Sequence, residues 1–188
     1  MKIGALQEFN GKGRKEKSTM LLQTARIFLR EFIYDDFDSL FEILSDAEVM
    51  KYYPKPFDAE RVKGWIEWNL QNYKQYGFGL WAMELKQTGE LIGDCGITMQ
   101  NIDGEELPEI GYHIYKKHWR QGYAKEAASA VREWFFANTA FDTVYSYMTA
   151  SNVASYSTAA SIGMQRIKEY VDSQSDEMHY VYAILRKK

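Results

Sequence analysis

The chain has 188 residues, 46% of them hydrophobic and 15% aromatic, enough to bury one sizeable core and short for two domains. A net charge of −3 argues against a nucleic-acid partner, and no apolar run reaches the roughly 18 to 20 residues that span a bilayer. The N-terminus lacks the apolar core of a signal peptide, and Cys95 has no second cysteine to pair with, so the expectation is a soluble, cytoplasmic protein without disulfides.

Residues 1–19, with the basic run Lys12-Gly-Arg-Lys-Glu-Lys17 among Gly, Asn, Ser and Thr, read as a flexible extension. Residues 20–188 read as one domain. A first strand is expected over 26–30, followed by a helix from about Asp35 in which Phe37, Leu40, Phe41 and Leu44 recur at helical spacing. The Tyr52-Tyr53-Pro54 segment breaks the chain, and Asp58 caps a second helix that ends before Gly77. Strands over 80–85 and 91–99 flank a short Gly-containing turn at 86–90, and Cys95 reads as a buried thiol within the second of them.

Residues 101–108 read as a polar loop leading to a fourth strand over 109–115. A helix follows over about 122–137, with Ala127, Ala130, Val131 and Trp134 available for packing. A fifth strand over 143–150, a helix over 153–162 stopped by Gly163, and strands over 165–171 and 179–185 complete the chain. This alternation predicts an α/β (α+β) fold of about seven strands, with the sheet covered on both faces.

The turn between the fourth strand and its helix carries the strongest signal. Gly122 and the small Ala124 open a helix whose first N–H groups have no intrahelical acceptor and whose dipole places roughly half a positive charge at the same end. That combination suits a phosphate, and Arg120 and Lys125 add to the field. The same residues also suit an ordinary turn with a solvated basic rim, and the spacing alone does not choose between the two.

The segment Trp119-Arg-Gln-Gly-Tyr-Ala-Lys-Glu-Ala127 resembles the coenzyme A-binding motif of the GNAT acetyltransferase superfamily, Gln/Arg-x-x-Gly-x-Gly/Ala. Trp119 replaces the usual first residue and Arg120 stands where Gly is common. Trp at that first position, the opening Leu21-Leu-Gln-Thr-Ala-Arg-Ile-Phe-Leu-Arg-Glu31, and Asn152 and Ser155 followed by Gly163-Met164 resemble the RimJ/RimL-like branch. The resemblance covers nearly everything after Met20. It implies acetyl-CoA as cosubstrate and a mostly antiparallel sheet splayed between its fourth and fifth strands.

It further implies that the pantetheine arm bonds the backbone of His113, Ile114 and Tyr115, that the pyrophosphate lies over Arg120, Gln121, Gly122, Tyr123, Ala124 and Lys125, and that Asn152 contacts the coenzyme. Asn152 also suits a helix N-cap before Val153. The implied reaction is attack of a neutral primary amine, on a small molecule or a protein N-terminus, upon the thioester, with no metal required. His113, His118 and His179 lack metal-ligand spacing and read as structural or surface residues. The enzyme would be a monomer or a homodimer.

A lysine-like amine is neutral at pH 7 only at a penalty of roughly 4.6 kcal/mol, against about 1.4 for an α-amine, so a base matters more for the first. Glu109 is the leading candidate, with Glu84 and Asp94 behind it. The tyrosine that many members of the superfamily use as an acid is replaced by Ala159, which leaves Ser155 to stabilise the thiolate and Tyr156 as a chemical alternative. Tyr52 and Tyr53 are the expected acceptor contacts. Ala159 also prompts a second reading, a coenzyme-binding sensor that keeps the fold without turnover.

Overall fold

A computed structural model describes residues 18–173 and 175–187. The bulk of the segment expected to be a flexible extension lies outside them. Its last two residues are tied down: the Ser18 hydroxyl donates to the Glu31 carbonyl at 2.6 Å, and the Glu31 N–H to the Thr19 carbonyl at 3.1 Å.

The described chain forms one eight-stranded sheet in the order β1-β2-β3-β4-β5-β6-β8-β7. Its strands are β1 (Met20–Gln23), β2 (Ile27–Arg30), β3 (Leu80–Leu85), β4 (Leu91–Ile102), β5 (Glu105–Ile114), β6 (Thr143–Thr149), β7 (Gln165–Val171) and β8 (Met178–Leu185). The helices are α1 (Phe37–Leu44), α2 (Ala59–Tyr76), α3 (Tyr123–Asn138) and α4 (Val153–Ser161). None of the helices is long and apolar enough to cross a membrane.

Two elements differ from expectation. The four-residue β1 pairs antiparallel with β2 and raises the strand number from seven to eight; it is too short to show an alternating pattern. Residues 101–108, expected as a loop, are mostly strand. β4 runs on to Ile102 and β5 begins at Glu105, joined by Asp103 and Gly104 with φ of 50° and 86°. Two consecutive positive φ values are what a tight type I′ hairpin turn requires, and Asp-Gly is a favoured pair for it. The acidic and proline residues around the turn hid the strand ends; Pro108 sits opposite Met99 in the ladder.

Side-chain alternation splits the core between the two faces of the sheet. Trp81, Met83, Ile97 and Ile110 pack with Ala127, Val131 and Phe135 of α3 and Ala159 of α4. Leu80, Ala82 and Leu91 pack on the other face with Leu40, Ile43 and Leu44 of α1 and Val62 and Ile66 of α2. The Asp58 carboxylate accepts from the Arg61 N–H at 2.9 Å and caps α2, which closes at Gly77 with φ 76°. Cys95 is fully buried in the first of these clusters.

All strand pairs are antiparallel except β5 with β6, which run parallel and hold a single registered pair, Glu109 with Tyr145. β4 and β5, by contrast, stay in register from Gly93–Ile114 to Ile102–Glu105. The sheet therefore splits beside Glu109, between the strands expected as fourth and fifth, and leaves part of the facing edges of β5 and β6 unpaired.

Candidate active site

The split opens into a cleft of about 830 Å³ whose wall includes Tyr53, Glu109, Gly122, Lys125, Asn152 and Ser155. Residues expected to act at opposite ends of one reaction thus meet in one cavity.

At one end stands the N-terminus of α3. The chain leaves β5 through a short 3₁₀ turn, Lys116–His118, then enters the helix through Arg120 and Gly122, with φ of 60° and 82°. A Cβ at 122 would meet only the Arg26 guanidinium, at 3.6 Å, so glycine is needed there for its left-handed backbone rather than for clearance within the protein. No side chain caps this helix, and its first turn leaves N–H groups open to an anion.

The turn is braced from outside the cleft. Glu126 accepts from the Thr24 hydroxyl, the Arg26 N–H and the Arg26 guanidinium at 2.5 to 2.9 Å, while Arg26 also donates to the Gln121 carbonyl at 2.9 Å. The Trp119 indole donates to the Ile114 carbonyl at 2.7 Å. Trp119, Arg120, Tyr123, Ala124 and Lys125 line the cleft; Gln121 does not, and its side-chain amide donates to the Lys117 carbonyl at 3.2 Å.

The strand edge corrects part of the expectation for the pantetheine arm. The Tyr115 N–H donates to the Ile92 carbonyl at 2.8 Å, and the His113 N–H to the Asp94 carboxylate at 3.0 Å, so both point toward β4. Backbone groups alternate along a strand, so those of Ile114, Tyr112 and Ile110 face the split instead. The Tyr115 ring is outside the cleft, with its hydroxyl on the Glu42 carboxylate.

In the middle of the cleft Glu109 projects from β5 toward the α1/α2 face. Gly111, two residues on, leaves room for it: a Cβ there would come within 3.1 Å of the carboxylate. Desolvation pushes the Glu109 carboxyl up to about 8, against smaller downward pulls from His113 and from the Tyr147 N–H. A carboxyl near 8 is suited to taking and returning a proton close to neutrality. The two reserve bases are placed elsewhere. Glu84 is paired with Arg30 at 2.9 Å, away from the cleft wall. Asp94 is fully buried and accepts from the His113 N–H, from His113 Nδ1 at 2.8 Å, and from the Trp65 indole at 3.2 Å.

His113, expected to serve through its backbone alone, presents its side chain instead: Nδ1 meets Asp94 and Nε2 lies 2.8 Å from the Tyr53 hydroxyl. Burial pulls the imidazole down, but the charge and hydrogen bond of Asp94 and the charge of Glu109 outweigh it and raise its basicity. Tyr53, expected as an acceptor contact, is therefore also bonded to the sheet. Tyr52 reaches across to the Ser151 carbonyl at 3.3 Å. His118 stays peripheral in its bonding, with Nε2 3.3 Å from Glu90.

At the start of α4 Asn152 acts as the expected cap, its side chain accepting from the Ser155 N–H at 3.2 Å. Ala159 is buried in the core, so nothing at that position reaches the cleft. Tyr156 is also absent from the cleft wall and packs against Tyr180 and Tyr182. The hydroxyl beside Ser155 belongs to Tyr112: it donates to the Ser155 carbonyl at 2.9 Å and lies 3.4 Å from Ser155 Oγ. Strand alternation on β5 was the signal that could have found it, since 110, 112 and 114 share the α3/α4 face.

The acetyltransferase (GNAT) domain family matches residues 26–165. The Bacillus subtilis protein YkkB is 40% identical over 78% of this chain and 86% of its own length. The Bacillus subtilis N-acetyltransferase YnaD is 30% identical over 89% of this chain and 98% of its own. A crystal structure of a GNAT-family acetyltransferase from Bacillus anthracis superposes with a TM-score of 0.76 at 27% identity, covering 88% of this chain and 98% of that one. A sheet split beside an uncapped helix start and a family match across most of the described fold lead to one assignment: the chain belongs to the GNAT acetyltransferase family.

Proposed function

We propose that the protein transfers the acetyl group of acetyl-CoA to a primary amine, of a small molecule or a protein N-terminus, by direct attack in a ternary complex. One observation carries this reading: the open N-terminus of α3, Glu109 and Ser155 all line one cleft at the split in the sheet. The pyrophosphate lies on the N–H groups that follow Gly122, with Arg120 and Lys125 around it. The pantetheine arm lies along the unpaired edge of β5, and Asn152 contacts the coenzyme from the α4 side.

The acceptor enters beside Tyr52 and Tyr53. Glu109 takes the ammonium proton through a water, the freed lone pair attacks the thioester carbonyl, and the tetrahedral intermediate collapses with the coenzyme thiolate leaving. The Ser155 hydroxyl donates a hydrogen bond to that thiolate. Trp119, and Asn152 with Ser155 three residues later, support a place in the RimJ/RimL-like branch.

The test is thiol release from acetyl-CoA across a panel of primary amines, with the product checked for one added acetyl group. Acceptor-dependent release is the expected result. Firm acetyl-CoA binding with no release on any amine would favour the coenzyme-binding sensor instead.

A further inference from the structure

We infer that Tyr53, His113 and Asp94 form a second proton path from the acceptor amine, in which His113 receives the proton through the Tyr53 hydroxyl. The inference rests on the acetyl-transfer reading above. Three separate elements supply the path: Asp94 from β4, His113 from β5 and Tyr53 from the connection between α1 and α2. The two links are 2.8 Å each.

The direction of the bonds follows from the chemistry of the groups. A carboxylate only accepts, so Asp94 takes the Nδ1–H of the imidazole, in addition to the His113 N–H and the Trp65 indole. The Nδ1 contact fixes the tautomer, making Asp94 a positioning residue. Neutral His113 is left with a bare lone pair on Nε2, to which the Tyr53 hydroxyl donates.

The path runs from a sealed interior to the open cleft. Asp94 is 0% exposed, whereas Tyr53 is 38% exposed and lines the cavity. When an ammonium meets the Tyr53 oxygen, its N–H bond breaks and the proton joins that oxygen, while the proton already on the hydroxyl passes to Nε2. Tyr53 stays neutral, the imidazolium pairs with Asp94, and the amine keeps the electron pair for attack on the thioester.

The charged and titratable groups facing the path are Asp94, Glu109 on the same face of β5, Arg61 of α2 and Tyr147 of β6. The Asp94 carboxylate favours a cation on His113, and Glu109 adds to it once ionised. Desolvation keeps Glu109 largely protonated at pH 7, which leaves room for a second proton acceptor.

The experiment compares Tyr53→Phe, His113→Gln and the double variant on an amine that the wild type acetylates. Tyr53→Phe removes one oxygen from a partly exposed ring and leaves the fold intact. Near pH 7 it should lower kcat about tenfold or more, with KM for acetyl-CoA within about twofold and the deficit shrinking as Glu109 ionises. His113→Gln should show the same profile. The double variant should be no slower than the slower single one, because the two groups act in series.

A Tyr53→Phe rate within about twofold of wild type near pH 7, or losses that multiply in the double variant, would overturn the path. An activity-free reading is available from imidazole ¹⁵N resonances. Neutral His113 should carry its proton on Nδ1, and Nε2 should shift in Tyr53→Phe; a proton on Nε2 would also overturn it. Failure of the acetyl-transfer reading looks different: the wild type itself would release no thiol on any amine, while the ¹⁵N result would still decide the path.

Discussion

At the α3 end the cleft is made of backbone, and beside Tyr53 and Glu109 of side chains. The first is a contiguous stretch from Ile114 to Lys125 whose effect comes from open N–H groups and two left-handed residues, Arg120 and Gly122. The second gathers Tyr53, Asp94, Glu109 and His113 from three elements, with burial and hydrogen bonds setting their proton affinities. A backbone site tolerates many side-chain changes so long as the turn keeps its shape. A side-chain site should lose function through single atoms, and can do so without losing the fold.

The largest separation is expected from Glu109→Gln. Turnover above pH 8 should fall about a hundredfold while acetyl-CoA affinity is unchanged, and the rise of wild-type rate through about pH 8 should disappear. Stability should move the other way. The folded protein holds the Glu109 proton up to about 8, whereas the ordinary value is 4.5, so the folded state binds more protons between the two and wild-type stability falls as pH rises through that window. Glutamine does not titrate, and the variant should be the more stable by about 1 kcal/mol or more above pH 8. Rate–pH profiles and denaturant midpoints at pH 5 and about pH 8.5 check both halves; equal midpoints at the higher pH would remove the desolvation argument.

Ser155→Ala should slow turnover by about tenfold, with no recovery at high pH, because it removes a hydrogen bond to the leaving thiolate and no proton acceptor. Parallel pH profiles for wild type and variant are the expected sign. A deficit that closes as pH rises would instead place Ser155 in the proton path.

Lys125→Glu sharpens the comparison from the backbone side, with a smaller effect. A carboxylate in the first turn of a helix suits its dipole, so the melting temperature should hold or rise slightly. The same carboxylate repels a pyrophosphate, and the Kd for acetyl-CoA should rise about tenfold, or about 1.4 kcal/mol. Calorimetry and a melting curve read the two effects separately. Unchanged affinity would take Lys125 off the coenzyme.

The sequence was legible where physics is local. Asp58, Gly77, Gly122 and Gly163 mark helix ends by capping or left-handed conformation, and each mark holds in the fold. The open turn before α3 was visible because all its parts lie within a dozen residues. His113 was not, because its partners are 19 and 60 residues away in sequence, and only strand register and the α1–α2 connection bring them together. Tyr112 was hidden for the same reason, its partner Ser155 lying 43 residues on. The β4–β5 turn was local and still misread, because the acidic residues around Asp103-Gly104 resemble a loop when the two-residue turn signal is passed over.

The most direct test of the central claim is titration of the protein with acetyl-CoA, followed by calorimetry and by thermal unfolding. Saturable heat and a rise in melting temperature are expected, with stabilisation of about 2.7 kcal/mol when free ligand reaches a hundred times Kd. Coenzyme fragments lacking the pyrophosphate should do much less. No heat and an unchanged melting temperature at saturating acetyl-CoA would contradict it.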